Sequence, residues 1–139
     1  MRAKGLIDTG AILALLKSED LWHRRCREAL DSLRLPLATS AAVCTELFHL
    51  LGHHPRAVAA AWAFLRSGSI CILPITDTDS AELERLVKRY ADRPMDFADA
   101  TLVRLAERES LTTILTVDHD DFETYRIGAK RRFRIVPSR

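Results

Sequence analysis

Four acidic residues, Asp8, Glu46, Asp99 and Asp118, stand where a carboxylate is either useful or costly. Asp8 follows the apolar run Gly5-Leu6-Ile7, and Asp118 follows another at residues 113–117. Glu46 falls inside an apolar segment, TSAAVCTELFHLL, and Asp99 shares a helical face with Met95, Leu102, Val103 and Ala106. An unpaired carboxylate among packed apolar side chains either destabilises the fold or takes up a proton. Local roles explain some of these acids singly: Asp96 as an N-cap, Asp99 in the first turn of a helix, Asp8 as the cap of the helix after it. Asp118, Asp120 and Asp121 read equally as solvated turn residues. Caps do not explain Glu46. A shared explanation is a divalent-cation site. Mg2+ and Mn2+ prefer oxygen ligands, keep several waters and bind through a few carboxylates. They activate water and offset charge on a phosphoryl group. Thr9 and Thr116 lie beside the acids, in reach of a water or a carboxylate.

The elements that must position these groups alternate in type. Residues 5–7 read as a buried strand, a turn at Thr9-Gly10 follows, and residues 11–16 read as a helix. A second helix spans about 21–33, with Ser18 or Asp20 as its cap and Trp22, Cys26, Ala29, Leu30 and Leu33 on one side. A brief strand at 35–38 precedes a helix capped by Thr39 or Ser40 and broken by Gly52-His53-His54-Pro55. Residues 56–66 predict another helix and 70–75 a strand; Asp77 or Thr78 then caps a helix carrying Leu83, Leu86, Val87 and Tyr90. The loop Asp92-Arg93-Pro94 leads to the helix of Asp99, the strand at 113–117 and a last strand at 133–136. Strands alternating with helices predict one α/β domain over residues 1–139, its sheet largely parallel. Ligands bind such sheets at the carboxyl ends of the strands, which places Asp8 and Asp118 on one edge.

Composition narrows the setting. An apolar content of 47% over 139 residues suffices for a single core. Cys26, Cys44 and Cys71 sit apart in apolar segments and suit free thiols in a reducing compartment. With no leader pattern and no membrane-length apolar run, the expectation is a cytoplasmic protein. The net charge of +2 announces no nucleic-acid binder, but residues 122–139 hold six basic side chains against one acid. His49, His53, His54 and His119 match no standard zinc spacing, and His119 reads as a surface turn residue.

The ordered segments LIDTGAILALL, TSAAVCTELFHLL, MDFADATLVRLAE and ILTVDHDDF together resemble a PIN domain, in particular the VapC-type toxins of bacterial and archaeal toxin–antitoxin pairs. The resemblance covers essentially the whole chain. It implies a PIN-like three-layer α/β/α sandwich with a largely parallel central sheet, and endoribonuclease activity dependent on Mg2+ or Mn2+. It also implies a homodimer and a small cognate antitoxin, through which alone operator DNA is met. Carried over by residue, the resemblance makes Asp8, Glu46, Asp99 and Asp118 the catalytic, metal-holding acids. Thr9 and Thr116 match the family's hydroxyls, and Asp96 and Asp121 are extra acids placed in an outer shell or at a second metal.

A carboxylate cluster repels RNA, so cationic side chains must surround it. The choices are Arg24, Arg25, Arg27, Arg93, Arg104 and the run Lys130, Arg131, Arg132, Phe133, Arg134, which would give sequence-independent, salt-sensitive affinity. The alanine-rich helix with Trp62 and Phe64 is the expected dimer or antitoxin surface. The chief alternative is a non-catalytic PIN-like regulator that binds RNA or protein. A phosphohydrolase of small molecules is another. A receiver domain fits less well, since Asp8 stands alone after the first strand and no lysine follows the last core strand.

Overall fold

The structure, a computed structural model, describes residues 2–139. The first half contains β1 (Gly5–Ile7), α1 (Thr9–Leu16), α2 (His23–Ser32), β2 (Leu37–Thr39), α3 (Ala41–Leu51), α4 (Pro55–Leu65) and β3 (Ile70–Ile72). A 3-10 turn at Asp77–Asp79 opens the second half, followed by α5 (Ser80–Arg89), α6 (Phe97–Glu109), β4 (Thr113–Leu115) and α7 (His119–Thr124). A small hairpin of β5 (Arg126–Ile127) and β6 (Arg131–Arg132) precedes β7 (Arg134–Val136).

The five-stranded sheet has the order β3-β2-β1-β4-β7, and every pairing in it is parallel. Its central strands are short apolar runs because helices cover both faces of such a sheet. All of β1 and β2 is buried. Register carries these strands into the site. Ile7 pairs with Leu115, and the Asp8 amide donates to the Leu115 carbonyl at 3.1 Å, so Asp8 and Thr116 leave adjacent strands side by side. On the other flank, the Thr39 hydroxyl donates to the Ile7 carbonyl at 3.1 Å, which brings Ser40 and the start of α3 to the same edge. Helix α6 packs on β1 and against α3, and eight of its residues are buried, Asp99 among them.

Three differences from the sequence expectation have physical causes. The strand expected to reach residue 75 ends at Ile72. Leu73 still donates to Thr39 at 2.9 Å, but Pro74 has no N–H to continue the ladder. The helix expected to be capped by Asp77 or Thr78 is entered from Thr76, whose N–H donates to Asp79 at 3.0 Å. Asp79 is buried there against Arg104 and Arg108, each at 2.8 Å. The acids after β4 are not a solvated turn: they open α7, with Asp118 as N-cap accepting from the Asp121 amide at 3.1 Å.

Candidate active site

Four separate elements deliver the acids to the carboxyl edge of the sheet. Asp8 ends β1 and caps α1: its Oδ1 accepts from the Thr9 amide at 2.7 Å and its Oδ2 from the Thr116 hydroxyl at 3.0 Å. Thr116 in turn accepts from the Asp118 amide at 3.0 Å, so one buried hydroxyl ties the first acid to the backbone of the last. Burial, above all, pushes the Asp8 carboxyl up to about 6. The bonds from Thr9 and Thr116 oppose that rise, and the charges of Glu46 and Asp118 add to it.

Asp99 lies in the first turn of α6, where its amide donates to the N-cap Asp96 at 2.7 Å. Its own carboxylate is buried and accepts from the Tyr125 hydroxyl at 2.8 Å. Burial first, then the charges of Asp8 and Asp96, push the Asp99 carboxyl up to about 8, against the hydrogen bond from Tyr125. Asp118 is half-buried and also raised, by burial first and by the neighbouring Asp121 carboxyl. Carboxylate oxygens of Asp99, Asp118 and Asp121 lie within 4.8 Å of one another.

Glu46 is half-buried on α3, near enough for its charge to raise the Asp8 carboxyl. It opens on a groove of about 590 Å³ lined also by His49, Asp96, Phe97 and Ala98. The helix bearing it is fixed by Ser40, which accepts from the Val43 amide at 3.2 Å and shares a buried 2.7 Å hydrogen bond with Thr101 of α6.

The donor set fits a hard divalent cation. It is made of oxygens, and among the described residues no lysine or arginine forms a salt bridge with Asp8 or Asp99; Arg93, Arg104 and Arg108 go to Asp121 and Asp79. The Thr9 hydroxyl, next to Asp8, is buried with no hydrogen-bond partner. Buried carboxyls held above their ordinary range, beside an unpartnered hydroxyl, mark a place that a cation with its waters would stabilise.

The basic residues expected around the acids separate in space. Arg93 stands at the cluster, 2.9 Å from Asp121. Arg104 is turned inward: its Nε donates to the buried Asp79 at 2.8 Å, and the side chain is only 20% exposed, away from the acid cluster. Arg24 is 88% exposed on α2 and pairs with Glu28. Lys130, Arg131 and Arg132 are exposed on the hairpin, which Arg89 holds through the Gly128 and Ala129 carbonyls. Arg131 lines a groove with Ser110 and Thr112, beyond the far end of α6 from Asp99. A helix rises about 1.5 Å per residue, so this run does not surround the acids. His119 is not a surface residue either: it is buried, 5.3 Å from the Trp22 ring, with Nε2 at 2.8 Å from the Pro137 carbonyl.

Sequence reasoning missed Tyr125 and Thr101, and it named Ser40 only as a candidate cap, which it is. Ser40 carried a capping signal, but its partner lies 61 positions away. Tyr125 carried none, because its partner Asp99 is 26 positions upstream on another element.

The PIN domain family model matches residues 5–128 of this chain. Over 135 residues the chain is 33% identical to Ribonuclease VapC26 of Mycobacterium tuberculosis, covering 95% of this chain and 99% of that protein. The crystal structure of Mycobacterium tuberculosis VapC20, described as a sarcin-ricin loop cleaving toxin, superposes with a TM-score of 0.74 at 23% identity. That match covers 83% of this chain and 90% of VapC20, and shows the shared fold.

Proposed function

The chain belongs to the PIN domain family, and from that premise we propose that it is a divalent-metal-dependent endoribonuclease, the toxin of a toxin–antitoxin pair. One observation carries the catalytic reading. Acids from the ends of β1 and β4 and from α3 and α6 gather where two buried carboxyls have no cationic partner among the described residues. A purely structural cluster would be neutralised as Asp79 is, by arginines at 2.8 Å.

Asp8, Glu46, Asp99 and Asp118 would hold Mg2+ or Mn2+. When bound, the ion supplies Lewis acidity toward water and charge neutralisation at the phosphate. The protein's own part is positional. Thr116 and the Thr9 amide aim the two oxygens of Asp8, and Tyr125 holds one oxygen of Asp99 while leaving the other free of a protein donor among the described residues. Asp96 orients the first turn of α6 through the Asp99 amide and is an outer-shell residue in this reading. The groove beside Glu46 and Phe97 gives the RNA strand an approach to the acids.

The partners follow the family. A small antitoxin is the expected inhibitor, with operator DNA met only through it. A homodimer or antitoxin surface is supported by the alanine-rich helix α4, where Trp62 is 50% exposed. The test of the activity is cleavage of RNA by the purified chain with Mg2+ or Mn2+, with Asp8→Asn and Glu46→Gln as controls. Loss of an outer-shell partner costs a metal site about 10- to 100-fold, so loss of a ligand is expected to cost more. Equal cleavage by wild type and Asp8→Asn would assign the activity to a contaminant.

A further inference from the structure

Arg93 forms a salt bridge with one member of the acid cluster, Asp121, and does so through a single nitrogen: Nε donates to Oδ1 at 2.9 Å. A carboxylate on Nε fixes the plane of a guanidinium and leaves one or both terminal amino groups directed past it. Among the described residues no protein acceptor takes those amino groups of Arg93, and the side chain is 51% exposed. Several other arginine forks in the chain are closed. Arg85 gives a terminal nitrogen to both oxygens of Glu107, Arg89 gives both of its own to hairpin carbonyls, and Arg108 reaches Asp79 and the Pro74 carbonyl. Arg24 and Arg104 also bond through Nε alone, but they do so to the helix neighbour Glu28 and to the buried Asp79, both outside the acid cluster. The backbone under Arg93 is restrained on both sides, by a 3.1 Å bond from its amide to the Tyr90 carbonyl and by Pro94.

We propose that Asp121 and Arg93 form a phosphate clamp: Asp121 is a positioning residue that aims the guanidinium, and the terminal amino groups of Arg93 grip an RNA phosphate beside the scissile one. Asp121 then acts on RNA through Arg93 and is not a cation ligand, although its oxygen lies near those of Asp99 and Asp118. The inference rests on the ribonuclease reading and assigns a binding role within it. It reverses the usual sign of electrostatics. Removing a negative charge from an RNA site ordinarily strengthens binding. Removing this one weakens it, because the cation it aims is released.

The test is the affinity of a fluorescein-labelled single-stranded RNA in EDTA, where nothing is cleaved, paired with Mn2+ titration of the RNA-free protein. Arg93→Ala and Asp121→Asn are each expected to weaken RNA binding about tenfold, the scale of a charge-assisted contact to phosphate. The double variant is expected to be no weaker than either single one, since both remove one unit. Arg93→Lys, a charge without a planar fork, falls between. Arg93→Ala is expected to bind Mn2+ several-fold more tightly, having lost a competing positive charge. Should Arg93→Ala fail to fold by its melting curve, Arg93→Gln keeps the side-chain length for the same measurements. Tighter or unchanged RNA binding by Asp121→Asn overturns the clamp, as does weaker Mn2+ binding by Arg93→Ala. A wild-type chain that neither binds nor cleaves RNA removes the ribonuclease reading and the clamp together, a result distinct from either.

Discussion

Asp99 is a buried carboxyl held by one hydroxyl donor, and at neutral pH without a cation it keeps a proton. Asp99→Asn preserves an acceptor for Tyr125 while removing the capacity to ionise. Cleavage is expected to vanish, yet the metal-free variant should unfold at the same denaturant concentration as wild type or higher. The sign follows from proton linkage. The folded protein keeps the Asp99 proton up to about pH 8, while an unfolded aspartate releases it near pH 4. Wild type therefore loses stability between those values, by at most about 1.4 kcal/mol per pH unit for this group, and the variant does not. Urea unfolding in EDTA at several pH values measures the gap, which should widen up to about pH 8 and then level. A variant clearly less stable than wild type throughout would make Asp99 a structural residue. The same scale shows why arginines resist reading from sequence. Nothing in the residues beside Arg93 and Arg104 tells them apart, and only tertiary contact sends one to Asp121 and the other to Asp79.

At the scale of elements, the site depends on how α1, α3 and α6 are seated on the strand ends. Ser40 caps α3 and bonds Thr101 on α6 in a fully buried position. Ser40→Ala removes the cap and leaves a buried hydroxyl with one fewer partner, so a loss of about 1–2 kcal/mol is expected from the urea midpoint. Mn2+ affinity should fall with it, because Glu46 rides on that helix, but by less than in Glu46→Gln. Gly10 is a second seat. A Cβ there would lie 2.8 Å from Cγ2 of Val117, a β-branched side chain with little freedom to move. Gly10→Ala gains about 1 kcal/mol of helix propensity and loses more to the collision, typically about 1–3 kcal/mol. A net destabilisation, read from the melting temperature, is the expected outcome.

Much of this arrangement was legible in the sequence, for a specific reason. Asp8 and Asp118 follow apolar strand runs, and a parallel sheet brings such ends to one edge. Glu46 was conspicuous as a charge inside an apolar helix. Helix α7 was not, since its six residues are too few to show a period, and its acids looked like a turn. The hairpin was hidden for the same reason, with two residues in each strand.

The whole molecule couples its stability to pH and to cations. As pH rises, the metal-free fold loses stability through Asp8 up to about 6 and through Asp99 up to about 8. Asp79 works in the other direction: backbone donation from Thr76 and the hydrogen bond from Arg104 hold its carboxyl low, so its contribution fades only in acid. Melting curves in EDTA should therefore fall from about pH 5 to about pH 8. Saturating Mn2+ should oppose that trend, because cation binding requires the deprotonated acids and strengthens over the same interval. Cleavage should rise across it as well. No helix among the described residues is long and apolar enough to cross a membrane.

The most direct measurement is an anomalous difference map from crystals of the chain grown with Mn2+ near pH 8. A peak within coordination distance of Asp8, Glu46, Asp99 and Asp118 is the expected result, with Asp121 still on Arg93. A map with no peak among those four carboxylates, or with Glu46 turned away from an ion held elsewhere, would contradict it.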